Sequence, residues 1–486
     1  MRQPGQYATG AMVTDRLCLA RQGQNSHLTL LRRVAWFGKA MESRLTSRQY
    51  LGVVLPFMLS TMTQPLMGAV NTAVMGQLTD PAYISGVALG AVLFNTIYWI
   101  FGFLRVGTSG YAAQALGSGL AEDKWNSFGR PLLVSLVISG LILAFQNQIL
   151  SSYLNLVKPE ANVAEFTTSY YRLLIWGAPL VLFNYVALGW LMGQARIKAT
   201  LFMQISANVL NIILSIVLVL YFKYDVVGVA AATLISQVYG AAVGIWLMKL
   251  YGGFSLKNAS FKLLLRLKPM TDMLTTNGNL VLRTIGLMIV TNLFTASSTS
   301  FGTTVLAANS VLLQVIGIMA FLIDGMANGN SLFTGRAVGR KNQVLFEDVK
   351  VMSLKWLLVV IIILVTTYWT ASGFILGLFS ANTEVVAIAG QYNRYVLLYP
   401  LCAGLSLTFY GLYTGATQTG PIRDMMFIAM TTFIVGRYFL VPFMGNHGLW
   451  ICYLIFYGSQ SVVLLLFFSR LRRRTGFLKV ARQGIS

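Results

Sequence analysis

Long, largely uncharged apolar stretches recur along almost the whole chain, at roughly 51–76, 84–106, 130–150, 168–193, 201–222, 227–249, 278–300, 303–333, 352–376, 392–418, 425–444 and 447–469. In hydrocarbon every backbone N–H and C=O must be satisfied internally, so a spanning segment is a helix or part of a closed barrel. A barrel strand needs only about 9–11 residues, whereas these runs are as long as membrane helices, about 20. The chain is therefore expected to be an all-α membrane protein with twelve spans. Its charged fraction, 10% of 486 residues, agrees, because a soluble domain carries about 25%.

The formal net charge of +22 does not point to nucleic acid, since the basic residues sit in short loops and tails rather than in a folded basic domain. Their asymmetry instead orients the chain. One set of loops carries Lys124, Arg196, Lys198, Lys257, Lys262, Arg266, Lys268, Arg336, Arg340, Lys341 and Arg423, while the other offers little beyond Lys158 and Lys223. The positive-inside rule assigns the first set and both termini to the cytoplasm. Residues 1–45 form a basic N-terminal tail, disordered or not native, since Met41 just before the first span reads as a natural start. Cys18, Cys402 and Cys452 are far apart, His27 and His447 have no ligand cluster beside them, and no phosphate-binding loop is present. These features exclude a metal site, a bound cofactor, an ATP-driven pump and a nucleophile-based enzyme.

The halves echo one another. Gln114-Ala115-Leu116-Gly117 after the second span matches Arg336-Ala337-Val338-Gly339 after the eighth, an offset of 222 (336 − 114). Gly189 and Gly193 match Gly411 and Gly415 at the same offset, and Gly228 matches Gly448 at 220. A six-span unit is duplicated with parallel orientation, which gives two pseudo-symmetric lobes about an axis along the membrane normal. The expected limits are a lobe at 46–249, a cytoplasmic linker at 250–277, a second lobe at 278–470 and a basic tail at 471–486.

Polar faces mark candidate sites. Ser60, Gln64, Gly68 and Asn71 share one face of the first helix, and Gln204, Asn208, Asn211 and Ser215 share one face of the fifth. Each stripe is read either as interhelical hydrogen bonding or, taken together, as a neutral polar pocket in the first lobe. Asp324 is the one acid well inside a span, with Asn328 and Ser331 on its face, and Arg283 is its expected partner. That pair is either a stabilising bridge or an ion-coupling site. Tyr395, Tyr399, Phe409, Tyr410 and Tyr413 around the tenth span are candidates for stacking on a flat organic cation.

Leu55-Pro56, Pro65-Leu66, the run from Val70-Asn71-Thr72-Ala73 to Gly76, Gly107-Thr108-Ser109-Gly110-Tyr111-Ala112-Ala113-Gln114-Ala115, Gly189-Trp190-Leu191-Met192-Gly193, Asn208-Val209-Leu210-Asn211-Ile212, Asp324-Gly325 and Gly445-Asn446-His447 together resemble the DinF-like branch of the multidrug and toxic compound extrusion family. The resemblance implies a V-shaped pair of six-helix lobes in the bacterial inner membrane, working as a monomer. It also implies export of small organic, often cationic, compounds by antiport with H+ or Na+. Gln64, Asn184, Asn211 and Thr233 match polar positions of the family's first lobe. The family pattern places carboxylates where this chain has Asn71 and Ser215, so proton coupling through that lobe is expected to be altered. Two other readings stay open, a lipid-linked precursor flippase and a non-transporting membrane scaffold.

Overall fold

In the computed structural model, residues 44–75, 81–251, 264, 266–380 and 382–474 are described, with backbone alone at 63–75, 81–84, 121, 220, 225, 473 and 474. The two basic tails fall mostly outside these residues, as do Lys257 and Lys262 of the linker. Residues Met1–Gln49 form a unit apart from Tyr50–Ser486, and the architecture belongs to the second. Every described regular element is helical: α1 (Ser47–Met75), α2 (Pro81–Phe101), α3 (Phe103–Ser118), α4 (Ala121–Ala144), α5 (Gln146–Val157), α6 (Ala161–Leu174), α7 (Ala178–Gly193), α8 (Ile197–Ile216), α9 (Asp225–Leu250), α10 (Leu267–Thr299), α11 (Thr303–Gly339), α12 (Gln343–Phe379), α13 (Thr383–Gln391), α14 (Asn393–Gly415) and α15 (Gly420–Arg474).

Among the described residues, ten stretches are long and apolar enough to cross a membrane. One joins α2 to α3, and another joins α6 to α7 through a short 3-10 turn at Ile175–Gly177. The last, α15, turns at Gly445, whose φ of 55° and ψ of −134° lie outside any helix. Glycine tolerates that conformation without a Cβ clash. The apolar windows expect twelve spans; counting the two arms of α15 separately gives eleven among the described residues, and α1 lies where the first window falls. The helix α10 starts at Leu267, eleven residues before the expected span, so the linker between the halves is shorter than 250–277.

Duplication is written into the backbone. Left-handed residues occur at Gly119 and Lys341, at Ala195 and Thr417, and at Lys223 and Gly445, each pair 222 apart (341 − 119, 417 − 195, 445 − 223). A left-handed conformation costs a residue with a Cβ roughly 1–2 kcal/mol, so its recurrence at one spacing reflects a shared loop geometry. Packing repeats at the same interval. A Cβ on Gly189 would run into the carbonyl of Arg105 and one on Gly193 into that of Ser109, while Gly411 and Gly415 face the carbonyls of Ala327 and Ser331 in the same way. Thus α3 lies on α7 as α11 lies on α14.

The two copies meet where α3 crosses α11. Gly117 and Gly339, equivalent by the repeat, face each other: a Cβ on Gly117 would stand 2.7 Å from the Arg336 carbonyl oxygen, and one on Gly339 would strike that of Gln114. Gly335 abuts Ala113, again its equivalent (335 − 113 = 222). Contacts of residue i with j' and j with i' are the mark of a two-fold axis, and small residues let two backbones approach this closely. The seam extends on both sides. Gly107 packs against the Asn277 side chain, Gly329 against Val54 and Gly325 against Met58. Tyr111 OH donates to Thr276 Oγ1 at 3.1 Å, Tyr50 OH to Asn330 Oδ1 at 2.6 Å and Thr61 Oγ1 to the Phe321 carbonyl at 2.8 Å. The seam runs to the basic end of the bundle, where Arg336 lies within electrostatic reach of Arg196 and Arg340.

Candidate transport pathway and ion-coupling residues

In the first lobe the polar faces of α1 and α8 do meet. Ser60 Oγ donates to Gln204 Oε1 at 2.7 Å. Further along α8, Asn211 is buried and its amide donates to Thr233 Oγ1 at 3.2 Å and to Ser236 Oγ at 3.3 Å, both on α9. On α7, the Asn184 amide donates to the Gln237 carbonyl at 3.1 Å. Ser215 is 1% exposed and its hydroxyl has no partner, and the same holds for the side-chain oxygens of Asn184, Asn211 and Gln237. Buried oxygens without donors are costly, and here four of them belong to three packed helices. Asn208 is half-buried on the same stripe. Gln64 and Asn71 lie on α1, but their side chains are outside the described residues.

In the second lobe, Asp324 and Arg283 do not form the expected ion pair. The ion pairs among the described residues are Lys350–Glu347, Arg472–Glu347 and Arg423–Asp424, all away from the membrane centre. Arg283 instead lies over the Tyr410 ring, 4.1 Å from its centroid. The Tyr410 ring of α14 takes up Arg283, and Asp324 is within electrostatic reach of the same ring. Asp324 also acts on Tyr399. On the helix of Asp324, the Asn328 amide nitrogen and the Ser331 hydroxyl are buried without partners.

The tyrosines divide. Tyr410 and Tyr399 approach the charged residues, whereas Tyr413 donates to the Leu464 carbonyl at 2.8 Å. Tyr395 stacks on Trp450 and bonds His447 Nδ1 at 3.1 Å beside Arg394. All four rings are buried, and the last two are held by partners within their own lobe. The motif Gly445-Asn446-His447 acquires a role here. Asn446 and Asn309 exchange amide hydrogen bonds at 2.7 and 3.0 Å, and Asn309 also binds Ser298 and Trp450. These bonds pin the turn within α15 to α10 and α11.

Arg105 is a charged residue whose position span-counting misses. The expected second span ends at 106, which would leave an arginine at the membrane surface. The helix pair in fact runs from Ser85 to Ser118, which puts Arg105 deep inside, within electrostatic reach of Tyr185 on α7 and Tyr410 on α14. A separate polar chamber of about 250 Å³ flanks the seam at its basic end, lined by Tyr111, Gln114, Asp123, Asn126, Arg130 and Met273 among others.

Two stretches of the chain, 56–217 and 280–439, match the family model MatE, one in each half. The chain belongs to the MatE family. The second match begins 224 residues after the first (280 − 56), close to the 222 of the backbone repeat. This MatE chain is 28% identical to DNA damage-inducible protein F of Escherichia coli (strain K12) over 427 residues, 86% of its own length and 91% of the relative's. It is 24% identical to Multidrug export protein MepA of Staphylococcus haemolyticus (strain JCSC1435) over 400 residues, with 80% and 85% covered. A crystal structure of MATE in complex with MaL6 superposes with a TM-score of 0.78 at 20% identity, covering 90% of this chain and 98% of the other. The expected all-α membrane fold is thereby borne out.

Proposed function

We propose that this MatE transporter exports small organic compounds across the bacterial inner membrane by antiport with H+ or Na+, with both termini in the cytoplasm. The observation that carries the reading is the seam between the two copies. Glycines packed backbone to backbone on a pseudo-two-fold axis form an interface that is either closed or parted, which is what alternating access requires. The basic loops assign the seam to the cytoplasmic side, so the described state is closed toward the cytoplasm.

Coupling differs from that implied by two first-lobe carboxylates. Asn71 and Ser215 cannot take up a proton near neutral pH, but neutral oxygens can replace water around an alkali cation. The unpartnered oxygens of Asn184, Asn211, Gln237 and Ser215 favour Na+ in that lobe. Asp324, with Tyr399, Tyr410, Arg283 and Arg105 around it, is the candidate carboxylate of the second lobe. Dye accumulation in inside-out vesicles under an imposed pH or Na+ gradient tests the reading. Gradient-driven uptake that is lost in Asp324→Asn supports it, and uptake indifferent to both gradients contradicts it.

A further inference from the structure

Three charged side chains share one layer in the middle of the helices. Arg105 lies 13 residues from the basic end of α3 (118 − 105), Asp324 15 from that of α11 (339 − 324) and Arg283 16 from the start of α10 (283 − 267). At a rise of about 1.5 Å per residue these are depths of about 20–24 Å. Arg283 lies 4.1 Å from the Tyr410 ring centroid, and Asp324 and Arg105 are within electrostatic reach of the same ring, so charged groups of both lobes gather near it. Each is half-buried rather than sealed.

The balance of that layer is two cations to one anion. Arg283 is stacked on Tyr410 and its buried Nε finds no acceptor. Arg105 makes no ion pair among the described residues. Neither residues 51–76 nor α8 contain a carboxylate that would offset them. Unpaired guanidiniums deep in a membrane protein are costly and mark a pathway. Their planar donor forks match a carboxylate or sulfonate, two parallel N–H donors to two oxygens. An organic cation would meet net repulsion there, in surroundings that screen charge poorly.

We propose that the pathway takes a small aromatic monoanion, its carboxylate or sulfonate held by Arg105 and Arg283 and its ring against Tyr410 and Tyr185. The assignment rests on the export reading for transport, but not for binding. It also revises the expectation of cationic substrates drawn from the resemblance to the family.

The test compares two two-ring probes of similar size and opposite charge, 2-naphthalenesulfonate and N-methylquinolinium, by titration calorimetry on the purified full chain. The sulfonate should bind at least tenfold more tightly than the quinolinium. Arg105→Gln and Arg283→Gln should each weaken the sulfonate at least tenfold, and Arg105→Lys should recover part of the loss. Two independent arginine variants keep the test open if one misfolds, and thermal unfolding identifies that case. Tighter quinolinium binding, sulfonate binding unchanged in both glutamine variants, or no sulfonate binding by protein that unfolds cooperatively would each overturn the assignment. Binding without gradient-driven movement would sink the export reading and leave the polarity of the site standing. Gradient-driven export of the quinolinium with no sulfonate binding would do the reverse.

Discussion

Gly339→Ala should hold the seam open. A Cβ at this position strikes the Gln114 carbonyl oxygen and lies 2.9 Å from its carbon and 3.0 Å from the Gly117 Cα. All three are backbone atoms, so nothing can rotate away, and the helices must part by roughly 1 Å to reach ordinary contact. Overpacking of this kind costs about 1–3 kcal/mol. Alanine favours the helix by about 1 kcal/mol over glycine, but that gain applies whether the seam is closed or parted. The closed state alone is penalised, and at 1.4 kcal/mol per factor of ten the equilibrium shifts by about 5- to 140-fold. The assay uses a chain with Cys18, Cys402 and Cys452 replaced by alanine and Thr414→Cys as reporter, since Thr414 is 3% exposed and its carbonyl faces Gly110 across the seam. Labelling by an impermeant maleimide in inside-out vesicles should speed up by that factor. Gly117→Ala should act alike, because its Cβ meets the Arg336 backbone in the equivalent way. A labelling rate within about twofold of the parent would show that backbone contact at the axis does not set the gate.

Other outcomes follow from the interior of each lobe. Asn309→Leu removes the partner of Asn446, Trp450 and Ser298 and should cost about 2 kcal/mol, read as a lower thermal unfolding temperature; an unchanged temperature would mean that these bonds are replaced. Asn71→Asp should make efflux in vesicles more dependent on pH between about 6 and 8, the range over which a carboxylate raised by burial titrates. Transport that stays flat with pH in that variant would count against altered coupling as the consequence of the amide.

The fold was legible in the sequence because its two strongest signals are physical necessities. Apolar length reports membrane helices, and glycine spacing reports backbone contact, so the 222-residue offset of Gly117 and Gly339 reappears as two residues facing each other. The same chemistry hid Arg105. Gly107, Ser109, Gly110, Ala112 and Ala113 are small and weakly apolar, which reads as the end of a span, although they are small because α3 must approach α7, α10, α11 and α14. The face of α14 was not legible either. That helix is apolar on nearly every side and buried along most of its length, so nothing in its spacing separates Tyr410, which meets Arg283, from Tyr413, which meets Leu464. The Asp324–Arg283 pairing failed for a related reason: matched depth brings two charges into one layer, but it does not show that Arg283 instead stacks on the Tyr410 ring.

A reversible cross-link tests most directly whether the two copies part during transport. A Cβ on Gly329 would stand 3.5 Å from the Val54 Cβ, within the disulfide range of about 3.5–4.5 Å, and Val54→Cys removes the methyl that now crowds this glycine. In the Val54→Cys, Gly329→Cys chain without its native cysteines, oxidation driven until no thiol takes up a maleimide polymer should abolish gradient-driven uptake in inside-out vesicles. Reduction should restore it. Full uptake by the completely oxidised protein would show that the seam need not open, and would contradict the account.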